Sequence, residues 1–503
     1  MTLPEYPARR GALRGAPYTD VAETHSASVF FAGDRAYKLK KPVKLAFLDF
    51  TTLAGRAAAC KRELELNRRF APDVYLGVAD VRDQNGTTCD HLLVMRRLPA
   101  DRRLATLISA RAPVGRQLRQ VARLLAAQHA AAQRSPEIDR QGSRDALTRR
   151  WHDNIDQARP VGARLAMTET IEETWRLAQR FLIGREPLFA RRVRTGRIVD
   201  GHGDLLADDV FCLDDGPRIL DCLDFDDALR WLDGLDDASF LAMDLERLGA
   251  ADLAERFLDW YAEYSADPAP QALRHHYAAY RAFVRAKISC LHWEQGEHSA
   301  AGEARLLAEL ALGHLRAGAV TLVIIGGLPG TGKSTLAGEL AGRLGFTVLS
   351  SDRIRKELAG IPPGQAAPAA YGGGIYAASW TRRTYEELLH RAAMLLALGE
   401  SVIVDASWAS SGNRAAAATL AGGLAADLVS LHCATPAEVA SRWLRDRRGD
   451  ISDAGTEVAR ELAAAWEPWP QAAGIDMSAR GRAGPGKGPP EWQDPVKDRK
   501  SVV

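Results

Sequence analysis

Gly327, Gly332, Lys333 and Ser334 stand at the spacing G-x-x-x-x-G-K-[ST], within the string GLPGTGKST. Such a loop turns backbone N–H groups toward phosphate oxygens at the positive end of the helix that follows. Its lysine neutralises the β and γ phosphates and its serine hydroxyl can ligate magnesium, so the chemistry is that of ATP-Mg2+. Gly330, Thr331 and Thr335 belong to the same cradle. Asp405 ends the apolar run SVIVD, which puts a metal-site carboxylate at the carboxyl edge of a sheet. Asp352 follows FTVLSS, with Arg355 one helical turn later. The carboxylate can accept a hydroxyl proton while the arginine holds an anionic acceptor group. A helix N-cap is the alternative role for Asp352. Downstream, Arg442, Arg445, Arg447 and Arg448 crowd a helical stretch. A lid carrying Arg445 and Arg448 would stabilise the transferring phosphoryl group, and a solvated basic helix face explains the same residues equally well.

A second set of chemical residues lies earlier. His202-Gly203-Asp204 leads into the apolar string VFCL, with Asp209 five residues beyond Asp204. An aspartate at the first position can orient and deprotonate a substrate hydroxyl, while the side chain five residues on holds a magnesium ion. After the turn Asp214-Asp215-Gly216, the returning strand RILDCLDF carries two further carboxylates. Asp224 is the first choice as metal ligand, and Asp221 takes that place if the hairpin is shorter.

Elements able to position these residues are legible from periodicity. SVFFAG and AYKLKK flank the two-residue turn Gly33-Asp34, a helix spans about Thr52 to Phe70, and VYLGVADV and HLLVM flank Asn85-Gly86. The pattern is helical over about 113–192 and again over 238–316. From Thr321 the strands TLVIIGG, FTVLS, SVIVDAS and DLVSLHC alternate with helices, the signature of a parallel sheet with crossovers. The expected division is a mostly β lobe over 1–100, a helical lobe over 101–318, a P-loop domain over 319–477 and a disordered tail over 478–503, rich in Gly, Pro, Arg and Lys.

The remaining composition excludes more than it selects. With 503 residues, two or three domains are expected. A net charge of +2 from 66 basic and 64 acidic residues gives no global reason to expect nucleic acid or an acidic membrane as partner. No apolar run reaches membrane-spanning length, and MTLPEYPARR has no signal core. The six cysteines form no Cys-x-x-Cys pair, which suits a reduced, cytoplasmic protein with cysteines as small buried hydrophobes. Oligomeric state is left open.

Two family resemblances follow. GLPGTGKS, SSDRIR, VIVDASW and the arginine-rich stretch look like the small P-loop kinases related to gluconate kinase, chloramphenicol phosphotransferase and polynucleotide kinase, over about Thr321 to Asp476. His-Gly-Asp and LDFDDA resemble the aminoglycoside phosphotransferase and choline kinase family, over about Thr19 to Arg316. Leu206 stands where that family has His, and Asp209 where it has Asn. This resemblance implies a protein-kinase-like bilobal fold. It makes Lys38 the strand lysine for the α and β phosphates and Met95 to Leu98 an adenine-contacting hinge, and it leaves HSAS at 25–28 to serve as phosphate loop. Lys38 should pair with a glutamate of the next helix. Glu63 lies on the apolar stripe of Ala59, Leu66 and Phe70, whereas Glu65 has basic neighbours at i±3 and i±4, so Glu63 is the better partner. Asp237 matches a family aspartate that braces the catalytic loop, and the acidic run from Asp226 to Asp244 is read as structural before it is read as attracting a cationic acceptor. The whole chain is similar to bacterial fusions of the two kinase types. The expected function is a bifunctional ATP-dependent phosphotransferase acting on small-molecule acceptors. A binding module with an inactive N-terminal head and a nucleic-acid end kinase, the latter supported by Trp408 and the lid arginines, are the competing expectations.

Overall fold

The computed structural model describes residues 20–478 apart from 24–25, 46–47, 363–364, 366, 368–371 and 447–455. The expected disordered tail lies outside the described residues from 479 onward, as do Arg447 and Arg448. In chain order, β1 (Asp20–Glu23), β2 (Ala27–Ala32), β3 (Arg35–Lys40) and the short pair β4 (Lys44–Leu45) and β5 (Leu48–Asp49) precede α1 (Leu53–Arg68), β6 (Tyr75–Arg82) and β7 (Thr88–Arg96). Next come α2 (Leu104–Ser109), α3 (Gly115–Ala131), α4 (Pro136–Gln141), α5 (Arg144–Arg164), α6 (Thr168–Ile183) and α7 (Glu186–Arg194). β8 (Ile198–Asp200), β9 (Val210–Leu213), β10 (Gly216–Ile219), α8 (Asp227–Arg230) and β11 (Trp231–Asp233) lead to α9 (Gly234–Arg247), α10 (Ala251–Ser265), α11 (Gln271–Glu294) and α12 (Ala300–Ala317). The rest is β12 (Thr321–Gly326), α13 (Lys333–Leu344), β13 (Thr347–Ser350), α14 (Ser351–Leu358), α15 (Ala378–Ala397), β14 (Val402–Asp405), α16 (Ser411–Gly423), β15 (Asp427–Ala434), α17 (Ala437–Asp446), α18 (Thr456–Ala464) and β16 (Ala473–Asp476).

These elements form two compact units. The first comprises residues up to 167 with 192–269 and 277–311. Its N-terminal lobe is an antiparallel sheet of order β1-β2-β3-β7-β6, backed by α1. The Thr52 hydroxyl caps α1 by accepting from the Gly55 N–H at 3.0 Å. Ala36, Ala71, Val74, Tyr75, Leu93 and Met95 make the lobe's core, and Leu220 from the end of β10 packs against them. The second lobe is helical, with the hairpins β9–β10 and β8–β11 set into it. This is the two-lobed α+β architecture expected from the sequence.

The second unit comprises 168–191, 270–276 and the residues from 312 onward. Its sheet is wholly parallel in the order β13-β14-β12-β15-β16, the expected α/β arrangement, with β16 an edge strand that periodicity did not announce. Leu336, Ala337 and Leu340 of α13 bury against Val323, Ile325, Ile403, Leu431 and Cys433. Relative to the expected boundary at residue 318, residues 168–191, 270–276 and 312–318 also group with this second unit. Arg180 pairs with Asp427 at 2.7 Å, and Arg185 donates to the Leu424 carbonyl at the end of α16 at 2.8 Å. Long-range polar contacts of this kind leave no mark on local periodicity. Five cysteines are buried as expected, and Cys89 is exposed. No described helix is long and apolar enough to cross a membrane.

Candidate active sites

The N-terminal head is built on β3. Side chains two apart in a strand share a face, so Lys38 and Lys40 point the same way while Leu39 points oppositely. Both amines meet Glu63, which lies on the buried stripe of α1: Lys38 Nζ is 2.7 Å from Oε1 and Lys40 Nζ is 2.6 Å from Oε2. Glu65 is largely exposed. Lys38 also bonds Asp221 Oδ1 at 2.9 Å, and Lys40 bonds Asp224 Oδ2 at 2.9 Å. Burial would lower the Lys38 ammonium, but the charges of Asp221 and Glu63 outweigh it and hold the group well above its usual value. Lys40 is the residue that sequence reasoning missed, although its signal, a lysine two positions from Lys38 in a strand, was present.

The hairpin sets the surroundings of the two candidate aspartates. Ile219 pairs with Val210, and the Leu220 N–H then donates to the Asp209 carbonyl at 2.9 Å, which sets residue 220 opposite residue 209 with Asp221 at the next position. The strand is thus shorter than the sequence suggested. Of the two, Asp221 acts electrostatically on Asp209, while Asp224 is engaged by Lys40. Burial, and then the charges of Asp221 and Asp204, push the Asp209 carboxyl well above the ordinary range. Burial also raises Asp204, against the pull of Arg285. Asp221 goes the other way, held down chiefly by Lys38. Asp221 adopts φ +61°, in the left-handed region that aspartate enters more readily than most residues.

The catalytic-loop candidate is braced from α9. Asp237 Oδ2 accepts from the His202 N–H at 2.6 Å and Oδ1 from the Gly203 N–H at 2.9 Å. His129 Nε2 lies 2.9 Å from Asp237 Oδ2, and its Nδ1 lies 2.8 Å from the Tyr261 hydroxyl. Two turns further, Asp244 accepts from the Ala207 N–H at 2.8 Å. Asp236 binds Arg281 at 2.6 and 2.8 Å, and Asp233 binds Arg192. The acidic run is therefore structural, as the sequence reading preferred. Two expected parts are placed differently. Ala27 and Ser28 already belong to β2, so HSAS is not a free loop, and His25 lies outside the described residues. Met95 sits in the core, paired with Ala36 across β3–β7.

Carboxylate oxygens are the donor type that a hard divalent cation takes. Among the described residues no three His, Cys, Asp or Glu side chains cluster as a metal site, so Asp209 and Asp221 by themselves make at most part of one.

In the second unit the P-loop joins β12 to α13. Gly327 adopts φ +145° and a Cβ there would meet the Cys433 carbonyl at 2.6 Å, and Gly332 adopts φ +88°, so both positions require glycine. Lys333 Nζ donates to the Leu328 carbonyl of the loop at 3.0 Å, and Thr331, buried, donates to the same carbonyl at 2.8 Å. Gly330 has φ +79°, and Thr335 is exposed. Ser334 Oγ donates to Asp405 Oδ2 at 2.6 Å, a hydroxyl and a carboxylate side by side where a magnesium ion fits. Asp352 lies inside the first turn of α14, whose N-cap position is Ser350, so it is not the cap. Arg355 is buried and donates to the Ile375 carbonyl at 2.9 Å and to Thr381 Oγ1 at 3.2 Å, which ties it to the Gly374–Tyr376 turn. Its Nε has no hydrogen-bond partner among the described residues. Both Asp352 and Arg355 act electrostatically on the buried Tyr385 hydroxyl, which lies 3.1 Å from Ser407 Oγ. Arg445 is exposed on α17, and Arg448 lies outside the described residues. Trp408 is fully buried, its indole N–H donating to the Val404 carbonyl at 3.2 Å, so it is a core residue and no platform for a base.

The family described as an AAA domain matches residues 322–469. An uncharacterized protein of Mycobacterium tuberculosis is 43% identical over 464 residues, 92% of this chain and 93% of that one. Among solved structures, a choline kinase from Cryptosporidium parvum covers 59% of this chain and 89% of its own, at 9% identity and TM-score 0.36. A gluconokinase from Sinorhizobium meliloti covers 31% of this chain and 82% of its own, at 18% identity and TM-score 0.21.

Proposed function

The chain belongs to one family with the mycobacterial protein it matches across nearly its whole length, and we propose that it is a bifunctional ATP-dependent phosphotransferase whose two heads each pass the γ-phosphoryl group to a hydroxyl of a small acceptor. The observation that carries this reading is the duplication of the phosphate-handling set: Lys38 and Glu63 with Asp204, Asp209 and Asp221 in one unit, and Lys333, Ser334 and Asp405 in the other.

In the N-terminal head, Lys38 would contact the phosphates and Asp204 would orient the acceptor hydroxyl and take its proton. Asp209 and Asp221 would hold magnesium. In the C-terminal head, Lys333 and the loop N–H groups would bind the phosphates, and Ser334 and Asp405 would hold the metal. Bound there, the metal neutralises charge on the phosphate oxygens. Asp352 would serve as base. Arg355, through its unpartnered Nε, would steady an anionic acceptor, and an exposed Arg445 with Arg448 would close over the transferring group. The raised Asp204 carboxyl suits proton acceptance near neutral pH better than an ordinary aspartate.

Purified protein incubated with labelled ATP and pools of sugars, amino sugars, choline-like alcohols and oligonucleotides tests the reading. Transfer to a small alcohol that Lys333→Ala or Asp204→Asn removes is expected. Nucleotide binding without transfer to any pool would favour the sensor alternative, and labelling of oligonucleotides alone would favour the end kinase.

A further inference from the structure

The double engagement of Glu63 is not explained by a single phosphate-contacting lysine. Its carboxylate is almost wholly buried, and each oxygen faces one ammonium: Oε1 accepts a hydrogen bond from Lys38, and Oε2 lies in ion-pair contact with Lys40 outside hydrogen-bond geometry. The two lysines differ in their other partners. Lys38 turns to Asp221, whose side chain is largely exposed, whereas Lys40 turns to the mostly buried Asp224 and also lies over the Phe50 ring at 5.3 Å. A nucleotide phosphate competes with Glu63 and Asp221 for Lys38. A buried carboxylate left without its only counter-charge is strongly disfavoured, so with one lysine Glu63 would hold Lys38 back from the phosphates.

We propose that Lys40 is a positioning residue of the N-terminal head, holding Glu63 and the Asp224 segment together so that Lys38 is released to the nucleotide. The inference rests on the reading of that head as a nucleotide site. On this account Lys40 stays fixed while Lys38 exchanges partners, and the Lys40–Asp224 bond keeps β3 tied to the segment after β10 as it does so.

The test uses the full chain carrying Lys333→Ala, so that calorimetry reads Mg-ATP binding at the N-terminal head alone. In that background Lys40→Met should weaken ATP about tenfold, and adding Glu63→Gln should recover most of the loss, because a neutral amide no longer restrains Lys38. A merely structural lysine predicts no recovery. Unchanged affinity in Lys40→Met, or a further loss on adding Glu63→Gln, overturns the role of Lys40 and leaves the nucleotide reading standing. Absence of binding in the Lys333→Ala chain itself overturns both. Should Lys40→Met fail to fold, Lys40→Arg decides: a guanidinium keeps the charge and should hold affinity within about threefold, while the same change at Lys38 loses at least about tenfold. Equal losses at the two positions overturn the proposal.

Discussion

At Asp209 the surroundings give the side chain a titration of its own. Burial and the charges of Asp221 and Asp204 raise its carboxyl well above the ordinary value of about 4. A cation binds only the deprotonated form, so cation binding expels a proton and the apparent magnesium affinity of the N-terminal head should climb with pH from about 4 until it passes the raised value. Magnesium titrations of the Lys333→Ala chain with ATP, between about pH 5 and 8, measure the slope, and Asp209→Asn should flatten it. An equal slope in the asparagine variant would show that another group titrates. The stability consequence has the same origin. Without a cation, a raised carboxyl stabilises the fold at low pH and that contribution is lost as pH rises through the folded value.

At the scale of the element, α9 does more than fill the core. One helix presents Asp236, Asp237 and Asp244 on its buried side, and Asp237 alone satisfies two backbone N–H groups of the loop 202–203 and meets His129. Burial opposes ionisation of Asp237, but His129 and the His202 N–H overcome it and hold the carboxyl below its usual range. Its contribution is present above the unfolded value of about 4 and is lost on acidification, opposite in sign to that of Asp209. Asp237→Ala leaves two buried donors unpaired and should cost about 2–5 kcal/mol in the first unit. Urea unfolding followed by two probes, one in each unit, checks this: only the first unit's midpoint should fall, and a shared shift would mean that the loop is not what Asp237 supports. β3 shows the same economy of position, since its two-residue period brings both lysines to one carboxylate.

Across the whole molecule the two residue sets proposed to bind phosphate share no residue and belong to separate compact units. Calorimetry should therefore find two nucleotides per chain, with Lys333→Ala and Lys38→Ala each removing one and the double variant removing both. Sites without shared partners add, and a changed affinity at the surviving site would measure a coupling between heads. A stoichiometry of one, lost with Lys333→Ala and indifferent to Lys38→Ala, would make the first unit kinase-like in fold only.

The P-loop was legible in the sequence because its glycines, lysine and serine are contiguous and their backbone demands are local. The stripe that buries Glu63 was legible for the same kind of reason, since helix periodicity places a side chain without knowledge of the rest of the chain. The alternation of strands and helices from Thr321 onward likewise announced a parallel sheet, apart from its last edge strand. Contacts between residues far apart in the chain carried no such signal. Asp221 was separated from Asp224 only by the register that sets Leu220 against Asp209, and Lys40 acquired meaning only once Glu63 and Asp224 converged on it. Trp408 became a core residue, and 168–191 joined the P-loop unit, through contacts that span tens to hundreds of residues. Periodicity and motif spacing report what a segment presents to its surroundings, while the identity of those surroundings is settled by the packing of distant segments, and there the tertiary structure alone decided.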